Sequence, residues 1–175
     1  MSVHTSTFRG ARYLRGLTAS FAVLLAGLSG APATGAEGKA LVQYPEEYRT
    51  WFHVKTALVS ARHPDFGRTG GFRHIYANPE AVKGYRAGVF ADGSVIVVDW
   101  LESKDDNGSF TEATRRRLDV MMKDRSRFAS TGGWGFERFS GNSRTERVVT
   151  SPATQCFECH SGSGTRDAVF STIRE

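Results

Sequence analysis

The chain contains the pentapeptide C-F-E-C-H at residues 156–160, close to its C-terminal end. Two cysteines separated by two residues and followed directly by a histidine form the pattern that attaches a c-type haem. Cys156 and Cys159 would each bond one vinyl group of the porphyrin, and His160 would then lie under the iron as its proximal axial ligand. The motif therefore predicts one covalent haem c, which would add a large apolar plate to the core.

Two other uses of the pentapeptide are a zinc site and a thioredoxin-like redox pair. A zinc site would usually need a second pair of Cys or His ligands at metal spacing, and none is evident in the sequence. A thioredoxin-like redox pair would lie near the start of a βαβ region, whereas this motif comes near the end of the chain. Cys156 and Cys159 are also the only cysteines, so neither has another cysteine to pair with.

Residues 1–36 have the three parts of a secretory signal peptide. Arginines come first, an apolar run occupies residues 17–28, and small residues follow up to Ala36. The apolar run is shorter than the roughly 20 residues that a membrane-spanning helix needs. We expect cleavage after Ala36 and a periplasmic location, with no membrane attachment after cleavage; an uncleaved anchor is the alternative.

The net charge argues against a nucleic-acid partner. The formal value of +5 includes three arginines of the predicted signal peptide, so the exported chain carries about +2. Nucleic-acid binding would require a concentrated basic face. The run of arginines at residues 115–117 follows acidic residues, and we interpret it as a solvated strand or loop edge. Residues 37–175 suit one compact domain.

Hydrophobic patterning predicts an α+β fold: a small antiparallel β-sheet with short helices, the haem-attachment helix lying near the C-terminus. Asn78, Pro79 and Glu80 open a short helix that ends near Gly88, and Ser151-Pro152 precedes the helix of the haem motif. Polar stretches are expected to lie outside the strands, at residues 60–71 and 103–114. Alternating apolar residues predict about five strands, at residues 51–59, 72–77, 94–101, 118–123 and 134–139.

Several stretches resemble the cytochrome P-460 family, which includes the cytochromes c′-beta. They cover nearly all of the chain after residue 36: YPEEYRTW (44–51), HIYANPEAVKGYRAGVFADGSVIVVDWLE (74–102), VMMKDRSRFASTGGWGFERF (120–139), and CFECH followed by DAVFSTIR (167–174). The resemblance implies a periplasmic, mostly antiparallel-β domain with one c-type haem, usually five-coordinate. Its open face would meet small nitrogen-containing molecules.

Enzymes of that family carry a lysine cross-linked to the porphyrin edge, in the segment just before a G-x-F-x-D-G turn. In this chain the matching positions hold Tyr85 and Arg86, with Lys83 slightly upstream. The departure puts both the cross-link and the enzymatic activity in doubt. Lys83 is expected to be a solvated lysine on a helix surface.

Aromatic side chains are the candidates for lining the haem pocket. Phe72, Phe90 and Phe136 are bulky apolar residues in the segments that carry the resemblance, although ordinary sheet core is their simpler explanation. The guanidinium of Arg73 could stabilise a bound oxyanion or a haem propionate, and Glu137 could accept a proton. Surface ion pairs are the alternative for these two charged residues.

Whether a second protein ligand binds the iron decides the function. A vacant position accepts NO or hydroxylamine, whereas an occupied one mainly transfers electrons. None of the candidate ligands has a spacing tied to the haem motif; they are His53, His63, His74, Met121 and Met122.

The sequence is compatible with three functions. We expect a mono-haem protein that binds NO-type ligands or passes electrons to redox partner proteins. The alternatives are a hydroxylamine- or NO-oxidising enzyme with a haem cross-link, and a six-coordinate electron carrier. The resemblance also allows a homodimer, since relatives often form dimers.

Overall fold

The computed structural model describes residues 42–162 and 166–174. The predicted signal peptide at residues 1–36, with its cleavage position after Ala36, lies outside these residues. None of the helices in the described part of the chain is long and apolar enough to cross a membrane.

The strands form one sheet in which each strand is antiparallel to the next along the chain. This meander confirms the predicted α+β fold with an antiparallel sheet. Its five strands are β1 (Phe52–Val59), β2 (Gly71–Ala77), β3 (Val95–Asp106), β4 (Ser109–Lys123) and β5 (Trp134–Ser140).

Short helical segments connect the strands. The predicted helix after Asn78 is α2 (Pro79–Ala87), in which the Asn78 side chain accepts a hydrogen bond from the Ala81 N–H at 2.9 Å and Gly88 ends the helix in a left-handed conformation. Two 3₁₀ turns lie at Tyr48–Thr50 and Ala129–Thr131. The remaining helical segments are α1 (Phe66–Thr69), a π-helical turn (Ala153–Phe157) and α3 (Glu158–Ser161).

The prediction that residues 103–114 lie outside the strands is wrong. Strands β3 and β4 extend through this stretch and meet at a tight turn, in which Asn107 and Gly108 have φ values of 55° and 88°. Most of these residues are exposed, so both faces of the hairpin tip carry polar side chains. The apolar–polar alternation that identifies a half-buried strand is therefore missing there.

The arginines at residues 115–117 are not a solvated edge. Arg115 donates to the buried carboxylate of Asp99 at 2.7 and 3.0 Å, and Tyr48 donates to the same carboxylate at 2.6 Å. Arg116 donates to the Gly70 carbonyl at 2.9 Å. These partners are far away in sequence, which is why the run by itself did not indicate them.

Two hydrophobic clusters make up the core. One packs α2 and the C-terminal segment against the sheet, and its largest members include Phe90, Trp134 and Phe136. The other contains Val97, Leu118 and Phe139. Because side chains alternate along a strand, Ile96 joins the first cluster while its neighbours Val95 and Val97 join the second.

Candidate functional site

The C-x-x-C-H segment is an irregular helical turn. Ala153–Phe157 is π-helical and is followed directly by α3, an arrangement that often occurs at functional sites. The Gln155 side chain accepts from the Thr150 and Ser151 N–H groups at 2.8 and 2.7 Å, which fixes the approach of the chain. Cys156 and Cys159 both line the same cavity, and neither forms a disulfide.

His160 is oriented as a metal-binding histidine usually is. Its Nδ1 lies 2.8 Å from the carbonyl oxygen of Ala168, and because a carbonyl can only accept, Nδ1 carries the proton. Histidines that bind metals usually donate their other ring N–H to such an acceptor, which fixes the tautomer. Burial lowers the pKa of His160, which favours the neutral imidazole that can bind iron.

The carbonyl that accepts from His160 belongs to a turn with unusual backbone geometry. Asp167 and Ala168 have φ values of 48° and 63°, and such left-handed conformations cost a non-glycine residue on the order of 1–3 kcal/mol. The Asp167 carboxylate accepts from Lys123 Nζ at 2.7 Å and from the Phe90 N–H at 3.0 Å. Trp134 Nε1 donates to the Asp167 carbonyl at 2.8 Å. These contacts hold the turn that orients His160.

A cavity of about 700 Å³ lies between the C-x-x-C-H segment and one face of the sheet. Residues opposite each other on neighbouring strands share a face, so the strand register divides the sheet side of the cavity into rows. The rows are Ile96–Met121–Phe136, Lys55–Ile75–Val98–Asp119–Arg138 and Ala57–Arg73–Trp100–Arg117.

Aromatic rings surround the imidazole of His160. The Phe136 ring centroid lies 5.1 Å from that of His160, and the Phe170 centroid lies 4.5 Å from it. The first row of the sheet side is wholly apolar, so this end of the cavity suits a flat apolar group held through His160.

The rest of the cavity is charged. Its lining contains five lysine or arginine side chains and three carboxylates, and two of these arginines share the carboxylate of Asp119. Arg138 donates to Asp119 at 2.6 and 3.1 Å, and Arg117 donates to it at 3.3 Å. The cavity therefore has an excess of positive charge, which suits a ligand that carries carboxylates.

The predicted pocket residues occupy different places. Arg73 and Phe136 line the cavity. Phe72, as the neighbour of Arg73 on β2, points to the other face and stacks on His74, with 5.8 Å between ring centroids. Phe90 packs in the core against Trp134, 5.5 Å away, and is not part of the cavity lining.

Glu137 lines the cavity as well, but its carboxylate is engaged. It accepts from Arg147 at 2.9 Å and from the backbone N–H of Val149 at 3.2 Å. These contacts make Glu137 part of a buried ion pair.

Two of the five candidates for a second iron ligand lie at the cavity, and the other three do not. His63 and Met121 line the cavity. His53 and His74 both hydrogen-bond Thr56 Oγ1 at 2.8 Å, on the opposite face of the sheet. Met122 packs against the second hydrophobic cluster.

The residues at the predicted cross-link position do not line the main cavity. Lys83 is 70% exposed and pairs with Glu80 at 2.7 Å, on the surface of α2. The hydroxyl of Tyr85 lies 2.6 Å from Ser171 Oγ, and Tyr85 and Arg86 line a second, smaller cavity. Lys55, on β1, is the lysine that lines the main cavity among the described residues.

Sequence reasoning missed Lys55, Trp100 and Arg117 as residues of the site. Each is one member of a cross-strand row, and the strand alternation that places them was visible in part. The register between strands was not visible, because it depends on the bulges between His53 and Lys55 and near Leu101.

Together, the antiparallel sheet, the cavity and the oriented histidine fit a haem site that is built on a β-sheet rather than on a helical bundle. The family model of cytochrome P460 matches residues 45–171, and the chain belongs to that family. The family implies a haem cofactor and confirms the resemblance stated from the sequence. No curated protein matches the chain. Among the described residues, no group of three or more His, Cys, Asp or Glu side chains is placed to hold a metal ion.

Proposed function

We propose that this chain is an exported, periplasmic protein with one covalent haem c, which binds small nitrogen-containing ligands such as NO and exchanges electrons with redox partner proteins. The observation that carries the proposal is the hydrogen bond from His160 Nδ1 to Ala168, at a cavity that both thiols line. This bond fixes the neutral tautomer whose Nε2 carries no proton, which is the form of imidazole that binds iron. Thioether bonds through Cys156 and Cys159 would hold the porphyrin beside it.

When bound, the haem supplies an iron that takes up one small ligand or one electron. The residues of this chain supply the surroundings. Ile75, Ile96 and Val98 exclude water from part of the sheet side, and Phe136 and Phe170 pack around His160. A site of this kind favours small ligands of low charge over bulky polar ones.

Covalent attachment is tested by producing the full chain in a bacterium that carries out c-type maturation. The wild-type protein should keep its haem on a denaturing gel and give a positive pyridine haemochrome assay. Cys156→Ser and Cys159→Ser should lose covalent haem, while Ser161→Ala, a control in the same helix, should keep it. A wild-type protein without covalent haem would contradict the proposal.

Export is tested on the same material. We expect the protein in the periplasmic fraction, with an N-terminus at Glu37. Intact protein that remains in the cytoplasm and keeps residues 1–36 would contradict the proposed location.

The state of the iron is tested by visible spectroscopy of the purified holoprotein. High-spin bands that shift on addition of CO would support an accessible iron position. Low-spin bands that do not respond to CO would instead support a six-coordinate electron carrier. His63→Ala and Met121→Leu would then identify the second ligand, because only these two candidates line the cavity.

The second candidate function is a hydroxylamine- or NO-oxidising enzyme with a haem cross-link. The observation that favours it is the position of Lys55, whose side chain lines the cavity while Lys83 lies in a surface ion pair. Mass spectrometry of the haem peptide would show a covalent link to the peptide that contains Lys55. Lys55→Arg should abolish the link, and Lys83→Arg should not. A haem bound only to residues 156 and 159 would reject this candidate.

A further inference from the structure

Three residues in one row of the sheet form a polar cluster in the cavity. Arg73, Trp100 and Arg117 lie opposite one another on β2, β3 and β4, and all three line the cavity. Trp100 is 8% exposed, and its indole Nε1 has no hydrogen-bond partner. A buried donor without a partner is costly, and native structures rarely retain one unless something else satisfies it.

The two arginines are held on the indole ring from neighbouring strands. The guanidinium carbon of Arg73 lies 5.1 Å from the Trp100 ring centroid, and that of Arg117 lies 3.9 Å from it. Both distances are within the range of a cation–π interaction. The indole thus contacts one positive charge from each neighbouring strand at the cavity wall.

The charges of the cluster are only partly neutralised. Arg73 has no carboxylate within ion-pair distance among the described residues, and its buried Nε has no partner. Arg117 shares Asp119 with Arg138. Burial lowers the pKa of both Arg73 and Arg117, which reflects how poorly water solvates them. An anion at this place would satisfy the charges and the orphaned donors together.

We propose that Arg73, Trp100 and Arg117 form a subsite that binds a carboxylate or another small oxyanion inside the cavity. The inference rests on the proposed haem function and adds a ligand class to the same cavity. Guanidinium groups bind carboxylates and oxyanions through charge-assisted hydrogen bonds, and the indole N–H adds a further donor.

Two sources could provide this anion. One is a propionate of the haem, since the propionates lie at the porphyrin edge opposite the vinyl groups that the cysteines modify. The π-helical turn that contains Cys156 packs against β5, and the cluster spans β2 to β4, so Trp100 is two strands, or roughly 10 Å, away from β5 across the sheet. The other source is a free oxyanion such as nitrite that enters the cavity.

The experiment compares matured holoprotein variants. Trp100→Phe removes the indole donor and keeps an aromatic platform, while Arg73→Gln and Arg117→Gln each remove one charge. Arg68→Gln is the matched control, because Arg68 lines the same cavity but is exposed and already paired with Asp65 at 2.8 Å. Nitrite affinity is measured by visible titration, the propionate bending modes by resonance Raman spectroscopy, and CO affinity as the uncharged reference.

The two sources give different results. If the anion is free, nitrite affinity should fall about tenfold or more in the three cluster variants, with CO affinity unchanged. If it is a propionate, the propionate modes should shift in the cluster variants and nitrite affinity should stay the same. Either result, absent from Arg68→Gln, supports the subsite.

Unchanged nitrite affinity together with unchanged propionate modes in haem-loaded cluster variants would overturn the subsite. Trp100→Phe decides the question if an arginine variant fails to fold, since it removes the donor and keeps both arginines and an aromatic ring. A wild-type chain that takes up no haem would instead contradict the proposed function, so the two failures are distinguishable.

Discussion

Lys123 is a charged residue that the fold buries almost completely. Its side chain is 2% exposed, and its ammonium lies 2.7 Å from the Asp167 carboxylate and 3.0 Å from the Gly132 carbonyl. It also lies 4.8 Å from the ring centroid of Trp134. Since Asp167 precedes the residue whose carbonyl orients His160, this ion pair connects β4 to the candidate iron ligand.

We expect Lys123→Met to lower the free energy of unfolding by about 3 kcal/mol, because it leaves the Asp167 carboxylate without its buried partner. Lys83→Met is the matched control: its ammonium forms an ion pair of the same 2.7 Å length, but at a site that is 70% exposed. Exposed pairs contribute less than about 1 kcal/mol. Urea unfolding of the three proteins measures the difference.

The double variant Lys123→Met/Asp167→Asn checks the cause. Removing both charges should restore part of the stability that Lys123→Met loses, because no unpaired carboxylate remains. A single variant no less stable than Lys83→Met would show that the buried pair does not stabilise the turn.

At the scale of the elements, the start of β2 depends on a glycine. Gly71 has a φ of 90°, and a Cβ at this position would overlap the carbonyl oxygen of Leu101 on β3. This close approach lies beside the register shift between Trp100 and Leu101. On the other side of β3, Phe72 pairs with Leu101 and Arg73 pairs with Trp100, so this glycine lies two residues from the polar cluster.

A comparison with Gly108 separates the backbone strain at Gly71 from the steric overlap at Gly71. It has nearly the same φ, 88°, but nothing lies within 4 Å of the place where a Cβ would stand. We expect Gly108→Ala to cost about 1 kcal/mol, from backbone strain alone. Gly71→Ala should cost about 2 kcal/mol more, because the Leu101 backbone has to move. Equal losses in chemical denaturation would show that the overlap is relieved without cost.

The sequence predicted the elements whose signals are local. Asn78, Pro79 and Gly88 mark the two ends of α2 by hydrogen bonding and backbone conformation, and the strands with one buried face show alternation. The hairpin tip was missed because both of its faces are exposed. The remaining features depend on how the strands pair with one another. Trp100 lies between two arginines only because of the register of β2, β3 and β4.

The distinction between local sequence signals and contacts made only by the fold also applies to the site. The C-x-x-C-H segment carries its chemistry in five consecutive residues, so the sequence alone identified Cys156, Cys159 and His160 as candidates. The acceptor for His160 is a backbone carbonyl, which any residue has, and only the fold shows that it belongs to Ala168. Phe72 and Arg73 were both candidates for the pocket, although neighbours on a strand point to opposite faces.

At the scale of the whole molecule, each hydrophobic cluster contains a buried tyrosine. Tyr48 belongs to one cluster and Tyr85 to the other. The pKa of each phenol is raised from 10.0 to about 12, chiefly by burial, and for Tyr48 the hydrogen bond to Asp99 contributes to the same rise. The folded chain thus keeps both phenol protons at a pH at which the unfolded chain begins to lose them.

This difference predicts how stability changes in alkali. Below pH 10 both tyrosines are protonated in the folded and unfolded states, so their contribution is fully present. Between pH 10 and about 12 the unfolded state releases these protons first, so the free energy of unfolding falls as the pH rises. Each tyrosine contributes about 2–3 kcal/mol to the fall at its upper end.

Denaturant unfolding at a series of pH values between 9 and 12 tests this prediction. Tyr85→Phe should make the alkaline decline shallower, because the phenylalanine has no proton to release. Ser171→Ala is the matched control: it removes the hydrogen-bond partner of Tyr85 and keeps the phenol, so the steep decline should remain. Burial is the largest cause of the raised pKa of Tyr85, and loss of the serine leaves that cause in place. An equally steep decline in Tyr85→Phe would show that other groups govern alkaline unfolding.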